Sequence, residues 1–579
     1  MGTILEMTDV LSPYENTWIE TNQEYAKRKG NAVYYDELSD KSSGDIPIAT
    51  FRDKNNRMKV VFAPETHSLI IGSTRSGKTT GFVIPLIMLK AMQKNKDSML
   101  ITDPKGELFM LSAERLRQQG YKVILLNFRD YAHSETWNPM TPIFRKYQKA
   151  FSLHKQVKAK KQNGKYFSEY RGKVYWNAEE LNKVLEHDKQ MILYDVDNDI
   201  NTLALALITT ERTDDPYWED TARQLLTAFI YALLEDSIPE TAGGRTLITE
   251  ETFSFRTIMD IFSTFHYSAS NSSETEGDNG FFYNRSENSK ARAYAMASII
   301  ANGGTTRLCV LSSFNAKMAP YKEIYTNLIT SCNSLDLDTL VDDSQPVAVF
   351  VVYRDEVRTS YYAIKAFITS VYKRLIEIAN GQPDLRLKRP FIFMLDEFGN
   401  FPAISDFDTT ISACGGRNIW FEIVLQSYAQ LQNVYGKETA EIIKENLNLH
   451  MFFGTNNAET KRQFSEECGK KTIVSPKSVF VGERETIGDV GLEEVSVVPV
   501  SKLNYLEIGD CYITMSNAES VLHSHMERSY LCPEYRCDKS PLGEYVASVD
   551  VLDSKYAYTP AKKETNPGSR RRVNWSDFF

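Results

Sequence analysis

The chain has 579 residues, 42% of them hydrophobic and 25% charged, with a formal net charge of −9. That length exceeds a single core and implies roughly two to four domains. The acidic balance excludes a generally basic, DNA-coating surface, though it allows a basic inner face in a ring or channel. No stretch approaches the ~20 apolar residues that span a bilayer, and the polar N-terminus lacks the apolar run of a signal peptide. The seven cysteines are scattered without zinc-ligand repetition, which points to a reduced, cytoplasmic protein.

Taken in order, residues 1–55 read as an N-terminal arm, and Met58 to Phe62 as a strand entering a nucleotide-binding core. Ser68-Leu69-Ile70-Ile71 is a short apolar strand, followed by Gly72-Ser73-Thr74-Arg75-Ser76-Gly77-Lys78-Thr79. This spacing, G-x-x-x-x-G-K-[ST], is that of a phosphate-binding loop. Its glycines let consecutive backbone amides turn toward phosphate oxygens. Lys78 is placed for the β- and γ-phosphates and the Thr79 hydroxyl for Mg²⁺, and an apolar helix follows from Thr80 to Met92. Strand, loop and helix in that order mark a nucleotide site, the plain alternative being a glycine-rich turn between a strand and a helix. A second strand ends at Asp103-Pro104-Lys105. Asp103 either lies near the phosphates or caps the next helix. Tyr121 to Asn127 is a further strand, and Trp137-Asn138-Pro139 turns the chain out of the sheet. This first part of the nucleotide-binding domain spans 56–145.

Residues 146–335 read as a mainly helical insertion. His154 to Lys173 is rich in lysine and arginine and carries Tyr166, Phe167 and Tyr170. It fits either single-stranded nucleic acid or a solvated face. Asp215-Pro216 caps a strong helix, with more helix over Ala291 to Ile300 and Lys317 to Ile329; Ser268 to Lys290 reads as a mobile loop. The sheet resumes over 336–540. Val347 to Tyr353 is a strand buried on both faces, Tyr361 to Ala379 a helix, and Phe391 to Leu395 a strand running into Asp396-Glu397. Asp396 is placed for Mg²⁺ and Glu397 to orient and deprotonate water. Ile419 to Leu425 is a strand ending at Gln426, either a γ-phosphate sensor or a strand-terminal amide. Arg417 precedes it, either an arginine finger for a neighbour in a ring or a surface arginine. Leu503 to Met515 and Tyr530 to Tyr535 complete the core, and 541–579 reads as a disordered tail.

The two halves of the site lie roughly 320 residues apart, so a domain interrupts one sheet. Here the residues resemble the TraG-like coupling proteins of conjugative type IV secretion systems. The likeness rests on Gly72 to Phe82, Asp103-Pro104-Lys105-Gly106-Glu107, Trp137-Asn138-Pro139, Asp215 to Glu219, Leu395-Asp396-Glu397-Phe398-Gly399-Asn400-Phe401-Pro402, and Gln426 to Leu431 with Tyr435-Gly436-Lys437. It implies an α/β fold, a RecA-like P-loop nucleotide-binding domain with an inserted all-α domain that recognises substrate. ATP and Mg²⁺ would then be held by Gly72 to Thr80 and Asp396, with Lys78, Glu397, Gln426 and Arg417 as the catalytic set. The implied partners are a relaxase with other relaxosome proteins, single-stranded DNA, the channel ATPases and further copies in a hexamer. Family members commonly begin with membrane-spanning helices and this chain shows none, so the expectation is either that such a segment has been removed or that the chain docks at the cytoplasmic face on a separate membrane protein as its anchor. Two rival readings are a cytosolic HerA/FtsK-type duplex DNA translocase and a receptor that uses ATP only as an assembly switch.

Overall fold

The computed structural model describes residues 17–41, 45–162, 165–208, 217–271, 281–300, 304–341, 344–481, 484–516 and 518–559. The chain divides into two compact units, Met1–Glu135 with Ser334–Val549, and Thr136–Asn333 with Asp550–Phe579.

The first unit is built on a ten-stranded sheet. Its strands are β1 (Trp18–Thr21), β2 (Ser68–Ile71), β3 (Ser98–Asp103), β4 (Lys122–Asn127), β5 (Val347–Val352), β6 (Phe391–Leu395), β7 (Ile419–Leu425), β8 (Leu449–Phe452), β9 (Asp510–Met515) and β10 (Ser520–His525). They lie side by side in the order β1-β10-β9-β8-β2-β7-β6-β3-β5-β4. Every pair from β8 across to β4 is parallel. Only β9 runs against the rest. β3, β5 and β6 are buried at every position. Burial on both faces explains why β5 and β6 read as unbroken apolar runs rather than alternating ones. Leu395 is in register with Thr102 and with Ile423, and Leu425 with Ile71. The carboxyl ends of β2, β7, β6 and β3 therefore finish together along one edge, which is where open α/β sheets bind ligands.

The N-terminal segment departs from the expected arm. Its Trp18–Thr21 is the edge strand β1, paired in parallel with Ser520 to His523. Met58–Ala63 does not enter the nucleotide sheet; it forms a separate three-stranded sheet with Ala32–Tyr34 and Ile46–Arg52. The reason is a hairpin turn at Asp53 to Arg57, where the Asp53 carboxylate accepts from the amides of Asn55 (2.8 Å) and Arg57 (2.9 Å). The tail expected from 541 also begins too early. Leu542 and Tyr545 pack against the core, and the Tyr545 hydroxyl bonds Glu135 at 3.1 Å. Residues 560–579 lie outside the described residues.

The second unit is mainly helical, with long helices over Thr141–Gln156, Ala178–Leu207, Tyr217–Asp236, Phe255–Asn271 and Gly304–Lys317. Phe229 centres its core, with the rings of Phe282, Phe314 and Phe262 at 5.1, 5.7 and 6.1 Å. Two expectations are corrected here. The unit is not all-α: Ala159–Gln162, Lys165–Tyr170 and Lys173–Tyr175 form a three-stranded antiparallel sheet. The helix expected over Lys317 to Ile329 is broken, because Pro320 lacks an amide proton and ends it in a 3₁₀ turn, Ala319–Lys322, before Ile324–Ile329. The Asp215-Pro216 cap and residues 272–280 of the expected loop at 268–290 lie outside the described residues, and Phe255–Asn271 carries helix into the loop's start. Among the described residues no helix is long and apolar enough to cross a membrane.

Candidate functional site

The phosphate-loop sequence joins β2 to a π-helical turn, Thr79–Val83, that continues as the helix Ile84–Met92. Its base is tied to the sheet: the Gly72 amide donates to the Leu425 carbonyl at 2.9 Å and the Ser73 amide to Gly454 at 2.8 Å. Both motif glycines are needed as such. A Cβ at Gly72 would stand 2.5 Å from the Ser76 Oγ, and Gly77 has φ +92°. Arg75 also takes a left-handed backbone at φ 69°. Ser76 Oγ is buried in the loop without a hydrogen-bond partner among the described residues. A tight glycine turn with an orphaned hydroxyl and a buried lysine fits an anionic oxygen ligand, as phosphate binding requires.

Lys78 is 6% exposed, and its Nζ donates to Glu397 Oε1 at 3.1 Å. Glu397 is 319 positions further along the chain. Gln426 Nε2 donates to the other oxygen, Glu397 Oε2, also at 3.1 Å. One carboxylate is thus held between the loop lysine and the amide at the end of β7. Glu397 follows β6 in a left-handed conformation, φ 54° and ψ 35°, which is unusual for a residue with a side chain. The turn is fixed by its surroundings. The Glu397 amide donates to Asp396 Oδ1 (3.0 Å), and the Asp396 carbonyl accepts from Thr102 Oγ1 (3.0 Å) and the Tyr353 hydroxyl (3.4 Å). Such local strain, imposed by neighbours, is common where a side chain must be aimed.

Asp396 is 7% exposed, and burial pushes its carboxyl up to about 6, with Lys78 pulling it down and Glu397 raising it. Asp103 is more deeply buried, and its carboxyl is pushed up to about 7, chiefly by burial and further by Asp396. Asp103 Oδ2 accepts from the Phe109 amide at 2.9 Å. Of the two sequence readings of Asp103, the helix cap is the one seen, at the start of Glu107–Gln118, and the carboxyl also lies in the field of Asp396. Lys105 is exposed yet close enough to lower Asp396.

Arg417 is not brought to this site. It precedes β7, whereas Gln426 follows it, and the seven-residue strand separates them by ~23 Å. Its guanidinium bonds the Ala413 carbonyl (2.7 Å) and Asn380 Oδ1 (3.1 Å). Sequence reasoning assigned no role to Thr102, Tyr353 or Gln430. Gln430 Oε1 accepts from the Gln426 amide at 2.8 Å, and a Cβ at Gly399 would meet Gln430 Cβ at 2.7 Å. The glycine of the Asp-Glu-Phe-Gly run is therefore a close-approach position. The only signal available was that Gly399 and Gln430 fall inside the two motif stretches.

The sequence model of one protein family, described as Type IV secretory system Conjugative DNA transfer, matches residues 21–484. The conjugal transfer protein TraG of Escherichia coli is 22% identical over 459 residues, covering 76% of this chain and 61% of that protein. The chain therefore spans about three fifths of the length of that curated relative. Among solved structures, the unbound form of the bacterial conjugative coupling protein TrwBdeltaN70 aligns with a TM-score of 0.57 and 15% identity, over 91% of this chain and 95% of that one. The plasmid coupling protein TrwB in complex with ADP and Mg²⁺ aligns with a TM-score of 0.55 and 16% identity, over 88% and 94%. The fold is thus a mixed α/β, RecA-like one with helical insertions.

Proposed function

Because this chain belongs to the family of type IV secretory system conjugative DNA transfer proteins, we propose that it is a coupling ATPase that hydrolyses ATP to drive relaxase-bound single-stranded DNA toward a secretion channel. The observation that carries this reading is the Glu397 carboxylate held between Lys78 and Gln426. A phosphate-loop lysine, an acid and a polar sensor meet at one point although they come from distant parts of the chain. The ADP and Mg²⁺ bound by TrwB support the same assignment.

The residues present fit Mg²⁺ and a triphosphate. Thr79 and Asp396 would hold the ion, which supplies charge neutralisation at the transferring phosphoryl group. The chain's own work is positional. The loop amides from Gly72 to Thr80 and the Lys78 ammonium bind and orient the phosphates. Glu397 orients the attacking water and takes its proton, and Gln426, bonded to that carboxylate, couples the acid's position to the end of β7. Arg417 can serve only a neighbouring subunit's site, which fits the proposed homo-hexamer.

For single-stranded DNA, the small sheet of the second unit offers a surface. One face, with Tyr175, packs on Leu153, Leu181 and Leu185. Phe167 packs against Trp176 with ring centroids 5.1 Å apart and planes tilted by 42°, and Val174 and Trp176 are exposed. Tyr170, expected among the binding aromatics, instead bonds Asp188 at 2.7 Å. Lys158, Lys160, Lys161 and Arg171 lie on or beside its strands, Lys160 paired with Glu169 and Arg171 with Asp188, and aromatic rings among cations suit single strands. Relaxosome proteins, the channel ATPases and a separate membrane anchor at the cytoplasmic face complete the proposed set of partners.

The test is turnover and mating. Lys78→Ala and Glu397→Gln are each expected to lower ATPase activity by about 100-fold or more and to abolish DNA transfer. Normal transfer by a stably expressed Lys78→Ala variant would sink the reading. Stimulation by duplex but not single-stranded DNA would favour a duplex translocase instead.

A further inference from the structure

Two segments of the first unit flank the phosphate loop without having been assigned any part in it. Ile508 and Gly509 precede β9, and Arg528 to Tyr530 follow β10. The Ser529 amide donates to the Thr80 carbonyl at 2.7 Å. At Gly77 a Cβ would lie only 2.8 Å from Ile508 Cγ2 and 3.4 Å from the Gly509 nitrogen. Arg528 ties the two segments together. Its Nη2 donates to the Ile508 carbonyl (2.7 Å) and its Nη1 to the Tyr530 hydroxyl (2.6 Å), with the guanidinium 5.9 Å from the Tyr530 ring centroid. The ledge so formed presents apolar surface beside a polar loop: Ile508 is 54% exposed and Tyr530 56%.

The direction in which a nucleotide lies follows from the site already described. Glu397 and Lys78 mark the end where phosphoryl transfer occurs. The base of the loop is closed by Leu425 and Gly454. The nucleoside must leave past Thr79 and Thr80, where Ser529 is bonded. We propose that Ile508, Arg528 and Tyr530 form the seat of a purine base, which stacks on the Tyr530 ring and the Ile508 side chain, while Arg528 holds both in place and adds a cation beside the ring. This inference rests on the nucleotide-binding reading above and adds what selects nucleoside over bare phosphate.

The full chain is titrated calorimetrically with ADP and with inorganic pyrophosphate, both with Mg²⁺. Tyr530→Ala and Ile508→Ala are each expected to weaken ADP binding by roughly tenfold and to leave pyrophosphate binding unchanged. Tyr530→Phe keeps the ring and is expected to keep ADP affinity, whereas Lys78→Ala weakens both ligands. Both side chains being exposed, their truncation leaves the core intact. Wild-type ADP affinity in the Tyr530→Ala, Ile508→Ala double variant would overturn the base seat alone. Failure of the wild-type chain to bind either ligand would overturn the nucleotide reading and this inference with it.

Discussion

Glu397 shows how much a single residue can be asked to do. Its backbone sits in a region that side-chain-bearing residues rarely occupy, and its carboxylate accepts from two partners at once. Glu397→Gln is isosteric, so it is expected to leave the thermal midpoint within a few degrees of wild type while turnover collapses, measured side by side on one preparation. His67 is a different case, a buried structural histidine. Its Nδ1 accepts from the Phe421 amide at 3.0 Å, the ring lies 5.2 Å from Trp420, and burial pulls its titration down to about 4. The unfolded chain therefore takes up this proton near pH 6.5, before the folded chain does. Its contribution to stability is whole above about 6.5 and is lost as the pH falls toward 4. Melting at pH 7 and pH 5 should show a smaller drop for His67→Asn than for the wild type; an equal drop would remove His67 from the account.

Between elements, the helix after the phosphate loop is pinned as well as packed. Lys90 is buried, with Asp97 at 2.8 Å and Glu65 also in contact, so three charges from separate stretches meet inside the core. Removing the cation leaves two buried carboxylates facing each other. Lys90→Met is expected to destabilise the chain by about 3 kcal/mol, read from the urea midpoint. The apolar run of this helix gave no hint of that cluster, because each of its members looks like an ordinary surface residue in sequence. The small sheet at 159–175 escaped notice for a similar reason, since its strands are short and lysine-rich and lack the alternation that identifies strands. Phe167→Ala with Trp176→Ala is expected to weaken single-stranded oligonucleotide binding by roughly tenfold or more at fixed salt, with an unchanged melting point, by fluorescence anisotropy. Unaltered binding would move the DNA contact elsewhere.

For the whole molecule, the central sheet is composite. β2 and β3, from the segment before 135, are separated in space by β7 and β6, from the segment after 334. Neither segment can build the site alone, because the loop lysine comes from one and its acid from the other. The same sheet sets Arg417 at the edge opposite its own chain's site. In the proposed homo-hexamer, Arg417→Ala and Glu397→Gln are each expected to be inactive alone and their mixture to recover ATPase activity, because an intact site would then form between unlike subunits. No recovery in mixed assemblies would exclude the arginine from the reaction.

The chain's local chemistry by itself determined the phosphate loop, the strands of the parallel core and the Asp-Glu pair. Glycine spacing, unbroken apolar runs and a strand-ending acid each depend on residues within a few positions of one another. Tertiary structure alone decided that Lys78, Glu397 and Gln426 meet at one carboxylate and that Asp103 both caps a helix and faces Asp396. It also decided that Met58–Ala63 belongs to another sheet, and that Ile508 and Ser529 border the loop. Those outcomes depend on which strands become neighbours, and strand order is set by packing across hundreds of residues that no local pattern encodes.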